Sequence, residues 1–273
     1  MNEIKELFQI QDFLESINYP DHIRISKEIL NFLHTKPTIY KDEIFRRLRN
    51  EEPWEYIRGT AEFCGNEFIV NRNVLIPRIE TEQLVYDAIS FIKSIDYPIT
   101  LIDVGTGSGC IAISIAKECA NISEIISTDI SQEALDICKK NEEKILGKRR
   151  ETRVRTNLIE SIKPKHPAVI TANLPYIPTN QYLKLDKSVK DYEPRLALDG
   201  GESVPDLYKN MYKQITFTTL RLFMETEESI IDEHLSVTKD YFKDYTVKKK
   251  SDLFGRDRFI YVESDSFIQP LLV

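Results

Sequence analysis

The chain has 273 residues, of which 37 are lysine or arginine and 44 are aspartate or glutamate, so its formal net charge is −7. Hydrophobic residues make up 41% and charged residues 30%, which excludes a disordered chain, a fibrous repeat and a disulfide-rich scaffold. The acidic balance also argues against capture of nucleic acid by the surface as a whole, because nucleic-acid-binding domains are usually basic. A local basic groove is not excluded by it.

The cysteines and the apolar segments do not point to a metal site or a membrane span. The four cysteines form no C-x-x-C pair and the four histidines form no cluster, so we expect reduced thiols and no metal ion. No apolar run approaches the ~18 residues that a membrane helix needs. The N-terminus is amphipathic and mixed in charge, unlike a signal peptide. We therefore expect a cytoplasmic protein.

Three regions follow one another along the chain. Apolar residues recur at helical spacing within residues 1–60, which predicts a small helical bundle. Aromatic and β-branched residues flank Gly65-Asn66, so residues 61–80 are expected to form a β-hairpin linker. In residues 81–273, short apolar runs alternate with helical patterns. This alternation predicts an α/β domain with a mostly parallel sheet that is covered on both faces.

The third region has a predicted order of elements. The expected helices are 82–95, one that presents Ile111, Ile115 and Cys119 on one face, 132–146 and 207–224. The expected strands are 99–104, 124–128, one near Val154, 168–172, 229–231 and 259–262. Ligands of such sheets bind outside the carboxyl ends of the strands. The candidate site residues are therefore those that follow the strands.

The first strand ends in D-V-G-T-G-S-G, residues 103–109. Its glycines allow the backbone to turn tightly and approach a ligand, and the amides that open the next helix can face that ligand. Asp129 ends the next strand, where a carboxylate can accept hydrogen bonds from both hydroxyls of a ribose. Together these features predict a site for a nucleoside-containing cofactor.

The spacing of the glycines distinguishes two cofactors. Dinucleotide sites use G-x-G-x-x-G, whereas this loop reads G-x-G-x-G and continues with Cys110. Asp103 would repel a pyrophosphate but suits a ligand that carries a positive charge or an amino group. S-adenosylmethionine has a sulfonium and an ammonium, so we predict it in preference to NAD. A glycine turn without a ligand is the remaining alternative.

A second motif, Asn173-Leu174-Pro175-Tyr176, follows the strand at residues 168–172. The side-chain carbonyl of Asn173 and the main-chain carbonyl of Leu174 offer two uncharged acceptors to a planar NH2 group. Holding both N–H bonds favours a more pyramidal nitrogen, whose lone pair then points at a methyl donor. Pro175 restricts the backbone, and Tyr176 can stack on the planar group or shield the site. Orientation and preorganised dipoles would supply the catalysis without a strong base.

With these motifs, the chain resembles the release factor glutamine methyltransferases of the HemK/PrmC type. The similarity covers most of the chain. Beyond the glycine loop and the N-L-P-Y clamp, it is carried by I-P-R-I-E-T-E at residues 76–82, E-P-R-L-A-L-D-G-G at 193–201 and G-R-D-R at 255–258. The first two of these segments are far more specific than a glycine loop, which indicates only a methyltransferase.

The resemblance implies a seven-stranded class I methyltransferase domain of Rossmann-like fold, preceded by a helical domain that docks the protein substrate and a β-hairpin linker. The implied reaction moves a methyl group from S-adenosylmethionine to the side-chain nitrogen, N5, of the glutamine in the Gly-Gly-Gln motif of a peptide chain release factor, the expected partner. With Asp103 included, the residues expected at the methyl donor are Asp103, Gly105, Thr106, Gly107, Ser108, Gly109, Asp129, Leu158 and Asn173. The residues expected to be catalytic and to hold the glutamine are Asn173, Leu174, Pro175 and Tyr176.

The sequence departs from the family pattern in four places. Leu174 stands where the clamp usually has proline, and Ile79 replaces another usual proline. Asn157 occupies a position near the adenine that is often acidic, although an amide carbonyl can also accept a hydrogen bond. A Glu-x-Gly segment expected on a late strand is not evident around residues 231–234.

Two alternatives remain open at this point. N-L-P-Y also resembles the loop of ribosomal RNA adenine dimethyltransferases, so the first is an adenine-N6 methyltransferase acting on RNA or DNA through the same clamp. The second is a diverged, non-catalytic protein that binds S-adenosylmethionine, which the departures at Leu174 and Ile79 suggest. Arg78 and Glu80 either fix the hinge region over the active site or merely join the linker to the domain.

Overall fold

A computed structural model describes residues 2–35, 40–147 and 151–264. The helices are α1 (Asn2–Ser16), α2 (His22–His34), α3 (Tyr40–Arg49), α4 (Trp54–Arg58), α5 (Thr81–Lys93), α6 (Cys110–Glu118), α7 (Gln132–Leu146), α8 (Thr179–Tyr182), α9 (Lys187–Lys190), α10 (Arg195–Leu198), α11 (Val204–Gln214) and α12 (Ile231–Tyr241). The strands are β1 (Thr60–Phe63), β2 (Asn66–Ile69), β3 (Ile99–Val104), β4 (Ile122–Asp129), β5 (Glu151–Arg155), β6 (Ala168–Ala172), β7 (Thr219–Glu225), β8 (Tyr245–Ser251) and β9 (Asp257–Ser264).

One seven-stranded sheet forms the centre of the described structure. Its order is β5-β4-β3-β6-β7-β9-β8. The strands from β5 to β7 run parallel, whereas β9 is antiparallel to both β7 and β8. Every residue of β3 is buried, as expected of a parallel strand with helices on both faces. The predicted α/β fold with a seven-stranded sheet is confirmed.

Two hydrophobic cores lie on opposite faces of this sheet. Successive side chains of a strand alternate between the faces, so Leu101 joins a core with α5 and α6, whereas Ile102 joins a core with α11 and α12. Because both faces are covered, polar groups can approach a ligand only at an edge of the sheet. The loops after β3, β4, β6 and β7 meet at its carboxyl edge.

The prediction of one helix at residues 207–224 is wrong. The structure divides this segment into α11, which ends at Gln214, and β7, which begins at Thr219. The residues between them, I-T-F-T, are β-branched or aromatic and favour extended backbone over helix. Residues 222–224 of β7 are fully buried, and a short buried run cannot be told from a buried helix by its period alone.

Two further errors follow in the same region. The predicted strand at residues 229–231 is wrong, because a short 3-10 helix (Glu228–Ile230) leads directly into α12. The strand β8 was not predicted, and it carries three successive lysines at 248–250. Edge strands commonly carry lysine, and β8 is an edge of the sheet. Glu225 is the last residue of β7, so it is the acidic residue at the end of this late strand. Residues 231–234 belong to α12 instead.

The N-terminal helices have a hydrophobic core of their own, which includes Ile10, Ile29 and Trp54. The β1–β2 hairpin follows them at Thr60–Ile69. The Tyr192 hydroxyl donates to the Asn50 carbonyl over 2.7 Å and joins these helices to a loop of the larger part. The proposed limits at residues 60 and 80 agree with this order of elements but stay a prediction. In the described part of the chain, no helix is long and apolar enough to span a membrane.

His234 in α12 is fully buried beside α11. Its Nε2 atom lies 2.9 Å from the Tyr212 hydroxyl, which is also 2.9 Å from the Thr238 hydroxyl. Burial lowers the pKa of His234 to about 3, because no solvent is available to stabilise a charged ring. The folded protein therefore holds this histidine neutral.

We predict that His234 makes the stability of the fold sensitive to acid. An unfolded histidine has a pKa of ~6.5, so below that pH the unfolded chain binds a proton that the folded chain does not. The contribution of the neutral histidine to the free energy of unfolding is complete above pH 6.5 and is lost as the pH falls towards 3. Between pH 7 and pH 5, urea unfolding should show the wild type losing about 2 kcal/mol more than His234→Gln. The control is His34→Gln, at a side chain that is 47% exposed. Equal losses in wild type and His234→Gln would contradict the prediction.

Candidate functional site

The glycine loop after β3 adopts backbone angles that other residues avoid. Gly105, Gly107 and Gly109 have φ of 69°, 54° and 80°, in the left-handed region that favours glycine. A Cβ atom on Gly109 would lie 2.7 Å from the sulfur of Cys138, and one on Gly105 would lie 3.0 Å from a methyl of Leu174. The loop therefore packs against α7 on one side and against the N-L-P-Y motif on the other.

Asp129 at the end of β4 is held by two backbone amides. Its Oδ2 accepts from the Gly107 N–H and its Oδ1 accepts from the Ser131 N–H, each over 2.9 Å. Burial raises the pKa of Asp129, while these hydrogen bonds act in the opposite direction. A carboxylate oxygen has about two acceptor positions, so both oxygens keep capacity for a ligand. Asp129 faces the cavity at the carboxyl edge.

Asp103 lies beneath the glycine loop and is 1% exposed. One carboxylate oxygen accepts from the Thr106 hydroxyl over 2.6 Å, and the other accepts from the Thr171 hydroxyl over 2.7 Å. Burial raises the pKa of Asp103 to about 6. In this structure the carboxylate connects the glycine loop to strand β6 and does not line the cavity. Its contact with a methyl donor stays a prediction.

A cavity of about 490 Å³ opens at the carboxyl edge of the sheet, within the size range of small-molecule sites. The predicted site residues that line it are Gly105, Thr106, Gly107, Ser108, Asp129, Leu158, Asn173, Leu174 and Pro175. Asp103, Gly109 and Tyr176 lie behind this wall. The structure thus brings most of the predicted residues to one place, from the ends of four strands, β3, β4, β5 and β6, that are far apart in sequence.

The Asn173 amide has a defined orientation. Its Nδ2 donates to the hydroxyl of Thr81, at the start of α5, over 3.1 Å. The NH2 end of the amide is therefore occupied by the protein, and Oδ1 is the end left to accept from a ligand. Thr81 itself was not identified from the sequence as a site residue, although it lies inside the I-P-R-I-E-T-E motif.

The backbone of the E-P-R-L-A-L-D-G-G segment packs against the backbone of the N-L-P-Y clamp and of Ile177, which follows it. The Gly200 N–H donates to the Ile177 carbonyl over 2.9 Å, and the Ile177 N–H donates to the Leu198 carbonyl over 3.1 Å. A Cβ atom on Gly200 would lie 2.4 Å from the carbonyl oxygen of Pro175. Only glycine allows the two backbones to approach so closely, which explains why the motif has glycine at position 200.

Arg78 lies in the cavity wall and is paired with the same segment. Its Nη2 is 2.5 Å from Oε1 of Glu193, and Oε2 of Glu193 accepts from the Ile76 N–H over 3.2 Å. The neighbouring Arg72 is paired with Glu52 at 3.0 Å. The pairing of Arg78 favours the reading in which this residue fixes the hinge region over the site. Because both arginines of the wall are paired with carboxylates, the cavity is not a basic groove.

Glu225, at the end of β7, is the second residue that the sequence did not reveal. It is 0% exposed, and its Oε1 accepts from the Tyr176 hydroxyl over 3.4 Å. Burial raises the pKa of Glu225 to about 7, while the Thr81 hydroxyl, Arg258 and Tyr176 act to lower it. The signal for Glu225 was an acidic residue at the end of an apolar run, and the helix predicted across that run hid it.

The lysine run at residues 248–250 and the titratable clusters of the described residues add no further site. Lys249 pairs with Asp232 and Asp257, and Lys250 pairs with Asp87. The run at residues 148–150 lies outside the described residues. Across residues 2–35, 40–147 and 151–264, no group of three or more histidine, cysteine, aspartate or glutamate side chains is arranged to hold a metal ion.

Comparisons with known proteins bear on this site. Residues 90–191 match the family described as "Methyltransferase small domain". The release factor glutamine methyltransferase of Geobacter sulfurreducens is 37% identical over 163 residues, and the alignment covers 60% of this chain but only 55% of that protein. The enzyme of the same name from Bacteroides thetaiotaomicron is 34% identical over 224 residues, covering 80% of this chain and 78% of that protein.

A solved structure supports the fold independently. The catalytic domain of hMettl16, in complex with a hairpin of the MAT2A 3′UTR, superposes with a TM-score of 0.56 at 13% identity, covering 74% of this chain and 76% of that chain. This likeness concerns the fold alone, which is that of class I methyltransferases, as predicted. With 34% identity over most of a relative's length, the chain belongs to the family of release factor glutamine methyltransferases, so the assignment predicted from its motifs is confirmed.

Proposed function

We propose that the chain transfers a methyl group from S-adenosylmethionine to the side-chain nitrogen of a glutamine in a peptide chain release factor, the glutamine of its Gly-Gly-Gln motif. The observation that carries this proposal is the Asn173 amide, whose NH2 end is bonded to Thr81 and whose carbonyl oxygen is left for a donor in the cavity. An acceptor in this position suits a substrate NH2 group. The relatives named above carry this activity in their names.

The cavity fits S-adenosylmethionine. Asp129 offers carboxylate oxygens that suit the two hydroxyls of a ribose, and its backbone partners hold them in place. Gly105 and Gly107 leave room for a ligand at the start of α6, and Leu158 lines the same cavity. When bound, S-adenosylmethionine supplies a methyl group on a positively charged sulfur.

The chain's own residues orient the acceptor nitrogen. The Asn173 side-chain carbonyl and the Leu174 main-chain carbonyl would each accept one N–H of the glutamine amide, so that its lone pair points towards the glycine loop. Fixed dipoles of this kind act without reorganisation during the reaction. After methylation the nitrogen readily loses a proton, so the site needs no strong base. Tyr176, behind the cavity wall, would shield the clamp.

The leucine of the clamp is consistent with catalysis. Leu174 is 4% exposed, and one of its methyl groups lies against Gly105. Full burial of a leucine side chain contributes about 1.5–3 kcal/mol, more than the ~0.4–1 kcal/mol of chain entropy that a proline would save. Apolar packing thus anchors the clamp to the glycine loop where the family usually relies on proline. This argues against the non-catalytic alternative.

The substrate of this reaction is a protein, so the N-terminal helices would dock the release factor. Release factors act in translation, and the modification would take place in the cytoplasm. The paired arginines of the cavity wall do not favour the alternative substrate, an adenine in RNA or DNA.

We predict that Asn173→Ala abolishes most methyl transfer while the fold is retained. Loss of one preorganised dipole costs on the order of 10²–10³-fold in rate. The measurement is transfer of radioactive label from S-adenosylmethionine to purified release factor, with ribosomal RNA offered in parallel. Asn180→Ala, at an exposed position of α8, is the control and should keep wild-type activity. Asn173→Ala activity within a few-fold of wild type would refute the clamp, and label on RNA would move the substrate to the adenine alternative.

We also predict that Asp129→Asn weakens binding of S-adenosylmethionine. The substitution replaces one carboxylate oxygen by an NH2 group and removes the charge from the hydrogen bonds. Hydrogen bonds to charged groups are worth about 1.5–3 kcal/mol, so the dissociation constant should rise on the order of tenfold to a hundredfold. Titration calorimetry measures this directly. Asp136→Asn, on the exposed side of α7, should leave the affinity unchanged. Unchanged affinity in Asp129→Asn would contradict the ribose assignment.

A further inference from the structure

We propose that exposed apolar side chains beside the mouth of the cavity form the surface on which the release factor lies when its glutamine enters the clamp. The side chains of this apolar rim are Ile79 (69% exposed), Leu196 (54%), Leu253 (83%) and Phe254 (74%). Single exposed apolar side chains are common on proteins, whereas several at one place mark an interaction surface. The inference rests on the proposed function and names the surface that contacts its partner.

Ile79 and Leu196 belong to the two segments that support the clamp. Leu196 lines the cavity itself. Ile79 directly follows Arg78, which also lines the cavity. Two residues further along the chain, the Thr81 hydroxyl lies 3.1 Å from Nδ2 of Asn173. Both exposed side chains therefore lie at the mouth of the cavity, beside the clamp.

The turn between β8 and β9, residues 252–256, brings the other two side chains of the rim to the carboxyl edge of the sheet. The strand β9 runs antiparallel to β7, and its Phe259 is opposite Glu225, the last residue of β7. Because the turn directly precedes β9, it projects past the end of β7. The Tyr176 hydroxyl of the clamp donates to Oε1 of Glu225 over 3.4 Å. The turn therefore lies on the Tyr176 side of the clamp.

The carboxylate of Asp252 holds this turn in one conformation. Its Oδ1 accepts from the Phe254 N–H over 2.9 Å and from the Arg256 N–H over 3.0 Å. Its Oδ2 accepts from Nε of Arg258 over 3.1 Å. A surface that is already ordered loses little conformational entropy when a partner binds. The exposed side chains of Leu253 and Phe254 are thus presented on a fixed backbone.

The chemistry of the apolar rim suits a polypeptide. A glutamine that is part of a protein reaches the clamp only if the chain on both sides of it crosses the mouth of the cavity, where it meets the rim. Apolar side chains gain free energy when a protein surface covers them, whereas nucleic acid presents phosphates that require basic partners. The arginines of the cavity wall, Arg72 and Arg78, are already paired with carboxylates. The occupant of the rim is therefore the part of the release factor that flanks its glutamine.

The first test replaces the two apolar side chains of the turn. The double variant Leu253→Ser/Phe254→Ser should raise KM for release factor about tenfold, as expected when an apolar anchor of an interface is lost. Neither side chain lines the cavity, so kcat and the affinity for S-adenosylmethionine should stay within about twofold of wild type. Leu253→Met/Phe254→Leu keeps the apolar character and should keep KM within about twofold of wild type. The melting temperature of each variant shows whether the fold is intact.

The matched control is Tyr241→Ser. It removes a 42% exposed aromatic side chain from the end of α12, near the start of β8 at the opposite edge of the sheet, and should leave KM for release factor unchanged. A wild-type KM in Leu253→Ser/Phe254→Ser would overturn the inference and leave the proposed function standing, because the wild type would still methylate release factor. Label on ribosomal RNA alone would refute the proposed function and, with it, this occupant of the rim.

A second measurement detects the contact directly and needs no methyl transfer. With Phe254 replaced by the photo-crosslinker p-benzoylphenylalanine, the full chain should capture purified release factor, and mass spectrometry should locate the link on residues that flank the glutamine. The same replacement of Tyr241 should capture none. No link from position 254, or links confined to parts of the release factor distant from the glutamine, would overturn the inference.

Discussion

The buried carboxylate of Asp103 joins the two halves of the site. One oxygen is bonded to Thr106 in the glycine loop and the other to Thr171, two residues before Asn173. Such a group is costly to bury, as its raised pKa shows, and its two short hydrogen bonds offset that cost. The bond geometry fixes the distance between the loop expected to hold the methyl donor and the loop expected to hold the acceptor. Transfer between two ligands depends on that distance.

Around this connection, each wall of the site is supported by a segment from elsewhere in the chain. Gly200 lies against the carbonyl of Pro175, and Glu193 binds Arg78 of the cavity wall. Thr81 reaches the clamp from the start of α5. The I-P-R-I-E-T-E and E-P-R-L-A-L-D-G-G segments are therefore parts of one support. The N-L-P-Y loop is held from three sides before any substrate arrives.

The sequence predicted the parts of the site that are local. The glycine loop and the N-L-P-Y motif are each contiguous, and the alternation of strands and helices places both at one edge, so most of the residues around the cavity could be named in advance. Thr81 and Glu225 could not, because they reach the N-L-P-Y motif through contacts across 92 and 49 residues of chain. The error at residues 207–224 had a physical cause as well. A short buried strand shows no alternation of apolar and polar residues that would distinguish it from a helix. The helix predicted in its place hid the strand end at which Glu225 lies.

The open sheet has an outer strand, β8, that could pair with a strand of another molecule. Three successive lysines occupy its middle, and two of them form ion pairs with aspartates of the same chain. A second molecule that added a strand here would have to bury these ammonium groups or break their pairs. The lysine run that carries no sign of nucleic-acid binding thus protects the sheet from edge-to-edge aggregation.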